Sequence, residues 1–96
     1  MNTYQLHIGA NNTTGIVEKD RIIQVLSSHY DGFTLQDTVG YWKGTPEYSC
    51  IATIANVTES DGIVKLAREL AQVLEQDAVG VTAIPTGMDF ITAQQA

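Results

Sequence analysis

The run Tyr48-Ser49-Cys50-Ile51-Ala52-Thr53-Ile54-Ala55-Asn56 constrains the fold most, because it is apolar at both phases of a two-residue strand period. Tyr48, Cys50, Ala52 and Ile54 fall on one face, while Ile51 and Ala55, with Thr53 between them, fall on the other. Such a strand is buried on both sides and requires cover on both. The remaining segments must therefore build a sheet around it, and helices over it.

Thr3 to Ile8 alternates, with Tyr4, Leu6 and Ile8 on one face, and reads as a half-buried strand. Gly9 to Gly15, with two Asn and two Thr, has loop chemistry. Glu18 and Asp20 then suit the positive end of a helix predicted over about 17–29, whose stripe is Val17, Ile22, Val25, Leu26 and Tyr30. A second strand is expected from Phe33 to Trp42. Asp37 interrupts its apolar face, either at a bulge or near the polar end of the sheet.

After the doubly apolar strand, Thr58-Glu59-Ser60-Asp61 has the form of a capping box. The spacing of Ile63, Leu66, Ala67, Leu70, Ala71 and Leu74 predicts an amphipathic helix ending at Glu75-Gln76-Asp77. Val79 to Pro85 reads as a fourth strand, and Met88 to Ala93 as a short fifth. The order β-α-β-β-α-β is the split arrangement of ferredoxin-like domains, an α+β fold with two helices on one face of an antiparallel sheet. One such domain is expected to occupy residues 1–96. The helices cover one face only, so the third strand asks for a partner subunit, and a homotrimer is expected.

The chain carries 11 acidic and 5 basic residues, for a net charge of −6. The few scattered cations exclude the clustered Lys and Arg that nucleic-acid binding uses. Met1 to Asn12 has neither a basic start nor an apolar core, so no signal peptide is expected, and no apolar run approaches membrane-spanning length. Cys50 is the only cysteine, which rules out a disulfide within the chain and fits a buried small hydrophobe in a reducing, cytoplasmic setting. His7, His29 and Cys50 have none of the spacings of a metal site, so no metal is expected.

The stretch Gly40-Tyr41-Trp42-Lys43-Gly44-Thr45-Pro46-Glu47 holds the only Trp and an isolated acid in what reads as a hairpin loop. Tyr41 and Trp42, as neighbours, point to opposite faces, so that one can pack while the other lines a pocket. Glu47 fits either a solvated strand start or a site carboxylate. Glu75 and Asp77 follow a helix C-terminus, where the macrodipole disfavours acids and their presence asks for a reason.

Asp37-Thr38-Val39-Gly40-Tyr41-Trp42, Glu47 opening the next strand, and Leu74-Glu75-Gln76-Asp77 before Ala78-Val79 together resemble the bacteriophage S-adenosylmethionine lyases, formerly called hydrolases. The resemblance runs from about Phe33 to Ile84, and this chain has the shorter hairpin loop. It implies a ferredoxin-like fold similar to the trimeric PII signalling proteins, with ligand sites between subunits. The implied reaction splits S-adenosylmethionine, a substrate rather than a cofactor, into 5′-methylthioadenosine and homoserine lactone, depleting the methyl donor that host restriction or methylation needs. By the same resemblance Glu47 is an essential acid holding the substrate ammonium, and Tyr41 is the aromatic beside the reacting centre, with Trp42 its rival. Glu75 contacts the ribose or the neighbouring subunit. A PII-like trimer that binds an adenosine-containing ligand without catalysis is the alternative expectation.

Overall fold

The computed structural model describes residues 1–93. In chain order the elements are β1 (Asn2–Gly9), α1 (Lys19–Ser27), β2 (Thr34–Trp42), β3 (Thr45–Val57), α2 (Ser60–Val73) and β4 (Gly80–Ile84). The strands form one antiparallel sheet in the order β2-β3-β1-β4. This is the ferredoxin-like fold expected from the element order. Among the described residues, no helix is long and apolar enough to cross a membrane.

One face of the sheet carries the core. Tyr4, Leu6 and Ile8 of β1 and Cys50, Ala52 and Ile54 of β3 pack against Ile22, Val25 and Leu26 of α1 and Ile63, Leu66 and Leu70 of α2. Each fully buried branched side chain among these contributes about 1.5–3 kcal/mol relative to exposure. Neither helix is long enough to persist alone, so it is this stripe that holds them. The other face of β3 presents half-buried Ile51, Thr53 and Ala55. Its flanks are polar: Gln36 of β2 is paired with Ile51, and His7 and Gln5 of β1 are paired with Ile51 and Thr53.

Several elements differ from the sequence-based expectation. The helix expected over 17–29 is shorter at both ends, because Lys19 N–H turns back to the Val17 carbonyl and the last turn tightens through Ser28 N–H to Val25 and His29 N–H to Leu26. The capping box is not made. Glu59, extended at φ −127°, takes the N-cap place without a side-chain cap bond, and Thr58 lies one residue too early. Nor is there a fifth strand at Met88–Ala93. Thr86 N–H folds back onto the Ile84 carbonyl at 2.7 Å after Pro85, and Met88 is held by the side chain of Asn56.

Asp37 needs no bulge. The β2–β3 register is continuous from Thr34–Thr53 to Trp42–Thr45 and sets Asp37 opposite Cys50, on the helix-side face. There the helical layer ends, and Lys19 at the start of α1 meets the carboxylate at 2.9 Å. The irregularity lies instead in β3 against Asn2–Tyr4, where Asn56 sits at φ +59°. This bulge advances the strand by one residue and returns Val57 to the core side.

Candidate functional site

β3 outruns its neighbour. β1 stops at Gly9, opposite Ser49, and a last rung joins Ala10 N–H to the Tyr48 carbonyl at 3.2 Å, whereas β3 continues back to Thr45. The β2–β3 hairpin therefore projects past the sheet, and the molecule extends 51 Å along its longest axis. The expected wide loop is a two-residue turn: Lys43 and Gly44 have φ +49° and +80°, the signs a type I′ turn requires. Pro46 is accommodated within β3 because it faces Tyr41 in a pair whose ladder bonds point away from β2. On that side β1 has already ended, so the missing N–H leaves no partner unsatisfied.

The step between the end of β1 and the longer β3 holds a cleft of about 550 Å³, a size that suits a small organic ligand. Its walls come from three places: the β1–α1 loop (Gly9 to Asn12 and Gly15), the hairpin stem (Gly40 and Pro46 to Ser49), and the segment Gln76-Asp77-Ala78 after α2. Glu47 lies across from Gly40, which has no side chain and leaves the carboxylate's flank open. The lining contains two carboxylates, Glu47 and Asp77, and no Lys, Arg or His among the described residues.

Each wall has a local cause. Asn11 Oδ1 accepts from Thr13 and Thr14 N–H at 2.8 and 3.1 Å, and Asn11 N–H reaches the Ile16 carbonyl at 2.9 Å, so the loop closes on itself as a ring. After α2, Glu75 adopts φ +54°, with Glu75 N–H on the Gln72 carbonyl and Gln76 N–H on that of Ala71. This is a Schellman cap with glutamate in the place usually taken by glycine. It turns Gln76 toward β1, where Nε2 donates to the carbonyls of Gly9 at 2.5 Å and Ala10 at 3.2 Å.

The four residues singled out from the sequence separate in space. Glu47 lines the cleft, and Tyr41, Trp42 and Glu75 do not. By the register, Trp42 shares Glu47's face of the hairpin and Tyr41 the opposite one. Both aromatics are largely exposed, and Lys43 Nζ stands 5.7 Å from the Trp42 ring centre, a cation–π distance. Of the two acids after α2, it is Asp77 that reaches the cleft. Gln76 and Ser49 were not expected there, and only the turn after α2, with two acids beside it, hinted at the former.

Fold and cleft together define the class: a ferredoxin-like domain with an acidic cleft at the step of its sheet. No protein-family model matches the chain, and no curated protein does. Among solved structures, a DUF3240 family protein from Shewanella baltica is similar at a TM-score of 0.63 and 16% identity, covering 96% of this chain and 97% of that one. A phage SAM lyase in its apo state is similar at a TM-score of 0.59 and 16% identity, covering 99% and 91%. These likenesses extend over the whole domain and establish the shared fold.

Proposed function

We propose that this protein is an S-adenosylmethionine lyase of the phage type, acting in the cytoplasm as a homotrimer whose clefts are completed by neighbouring subunits. The observation that carries the reading is the charge of the cleft: two carboxylates and no cation among the described residues that line it. A nucleoside phosphate would bring its negative charge against Glu47 and Asp77 with nothing among the described lining residues to neutralise it, a repulsion that water screens at these exposed carboxylates but does not remove. S-adenosylmethionine brings a sulfonium and an ammonium against a single carboxylate, a net positive charge that suits the site. The full-length likeness to a phage SAM lyase fold supports the same reading.

The reaction asks little of the protein. One carboxylate oxygen of the substrate attacks its own γ-carbon, and the γ-carbon–sulfur bond breaks with its electron pair passing to sulfur. The sulfonium thereby becomes the neutral thioether of methylthioadenosine, and the homoserine lactone keeps the ammonium. No water, proton or external nucleophile enters. What accelerates such a step is holding the chain folded for attack and keeping water away, which can supply about 7–11 kcal/mol in well-oriented cases. Glu47 holds the ammonium in this scheme. Trp42 and Tyr41 lie on opposite faces of the hairpin, so an aromatic contact to the sulfonium from Tyr41 would come from a neighbouring subunit. The exposed hairpin tip is available for that exchange, and Glu75, outside the cleft of its own chain, would face the ribose or the adjoining subunit.

The test is incubation of the purified protein with S-adenosylmethionine, followed by mass spectrometry for methylthioadenosine and homoserine lactone. Glu47→Gln is expected to abolish product while sedimentation shows an unchanged trimer. Binding without product would convert the reading to a PII-like adenosine sensor. A stable monomer would rule out a site shared between subunits.

A further inference from the structure

From the contacts around the cleft we infer that Gln76 is its positioning residue, locking the β1–α1 loop in place with one end of its amide and presenting the other as an oriented acceptor to the ligand. The inference rests on the reading of the cleft as a ligand site.

The loop is rigid within itself but barely joined to the body. Asn11 N–H to Ile16, Gly15 N–H to Asn11, the Asx contacts of Thr13 and Thr14, and Ile16 N–H to Thr14 Oγ1 all run inside residues 11–16. Where the ring meets the fold, β1 ends, and the last backbone rung is Ala10 to Tyr48. Among the described residues, Gln76 makes the side-chain hydrogen bonds across this junction, and it makes two, to the consecutive carbonyls of Gly9 and Ala10. Two carbonyl acceptors fix the amide orientation, since only the nitrogen can donate to them. Oε1 is then held in a known direction, has no partner among the described residues, and is not buried without one. Gln76 also lines the cleft. A side chain with both conformational freedom and one amide end already committed brings its acceptor to a ligand donor at little further entropic cost.

Placement reinforces the assignment. Gln76 is the residue that follows the left-handed Glu75, so the cap after α2 aims it at β1. The clamp therefore couples the helix end to the loop that forms the facing wall.

Two variants test this, each read with and without ligand. Gln76→Met keeps the length of the side chain and removes donor and acceptor. Amide hydrogen exchange of residues 10–16 is expected to accelerate while that of β1 and β3 stays as in the native protein, and KM for S-adenosylmethionine is expected to rise about tenfold, the equivalent of one good hydrogen bond, with kcat changed much less. Gln76→Glu keeps an acceptor and loses the donor at neutral pH. A protonated carboxyl can again donate to Gly9, so its deficit relative to the native protein should narrow as pH falls through the carboxylate range. Glu47, Asp77 and Tyr48 line the same cleft and are common to both proteins, which makes the ratio the informative quantity. Unchanged loop exchange and unchanged KM in Gln76→Met would overturn the proposal, as would a Gln76→Glu deficit constant with pH. The exchange measurement needs no ligand. If the native protein neither binds nor turns over S-adenosylmethionine while Gln76→Met still frees the loop, it is the functional reading that fails and the clamp that stands.

Discussion

At the scale of single residues, Glu75 carries a conformational cost that its side chain does not repay within the chain. It stands at φ +54°, where a β-carbon crowds the following carbonyl, and it is exposed outside the cleft. Glycine would adopt the same cap freely. Glu75→Gly is accordingly expected to stabilise the fold by about 0.5–1 kcal/mol, seen as a rise of several degrees in Tm; a fall would show that the glutamate is held by contacts beyond the cap. If the same variant also weakens S-adenosylmethionine binding, Glu75 acts on the ligand, and the strain is the cost of placing it. Gln76, next along, shows what sequence reading could not reach. The two acids beside it mark the turn, but nothing distinguishes Gln76 itself from any polar residue after a helix until the cap geometry turns it toward Gly9.

At the scale of elements, the periodic segments were readable and the junctions were not. α2 and the interior of β3 carry unmistakable periods, 3.6 residues in one and 2 in the other. The hairpin tip read as a loop because Lys43-Gly44 lacks the usual Asn-Gly signal and Pro46 suggests a break. The turn forms because Lys43 and Gly44 both take positive φ, and Pro46 is tolerated only through the early end of β1, which is a tertiary circumstance. The expected fifth strand failed for a similar reason: Asn56, left-handed at the β3 bulge, uses its side chain to copy a strand pair. Its Nδ2 donates to the Met88 carbonyl at 3.1 Å and its Oδ1 accepts from Met88 N–H at 2.8 Å. Gly87 makes room for this, since a β-carbon there would come within 2.6 Å of Asn56 Oδ1. Gly87→Ala should break the pair at a cost of about 1 kcal/mol, as these bonds are exposed. The measurement is amide exchange at Met88, expected to accelerate while β4 keeps its protection; unaltered protection at Met88 would mean the segment is held by something else.

At the scale of the whole molecule, the alkaline limb of the stability curve follows from three groups that hold their protons longer when folded. Burial raises the Cys50 thiol above its ordinary 9.0 and the Tyr30 hydroxyl above 10.0, and the hydrogen bond to Asp37 raises Lys19 above 10.5. In each case the unfolded chain releases its proton first, so above the ordinary value it binds fewer protons than the folded chain, and stability falls with pH. The contributions are fully present below pH 9.0 and are lost in turn as pH rises through the folded values. Lys19 adds least, because water screens its exposed pair. Urea midpoints should hold steady to pH 9.0 and decline beyond it. Cys50→Ala should cost about 1 kcal/mol at neutral pH by leaving a small void, yet move the onset of the decline toward pH 10.0. A decline that begins at the same pH in the variant would assign it to another group.

The absence of cations among the described residues that line the cleft bears on how a catalytic cycle ends as well as how it begins. On the proposed reaction, the adenosine half enters as a sulfonium and leaves as an uncharged thioether. The negative charge of the cleft favours the first and has no grip on the second, so the adenosine half loses its electrostatic attraction at the moment the bond to sulfur breaks. The positive charge that remains leaves with the ammonium of the lactone. Such a cleft clears itself: the adenosine product is a weaker ligand than the substrate by the value of its lost charge, and inhibition by that product should be slight even as it accumulates.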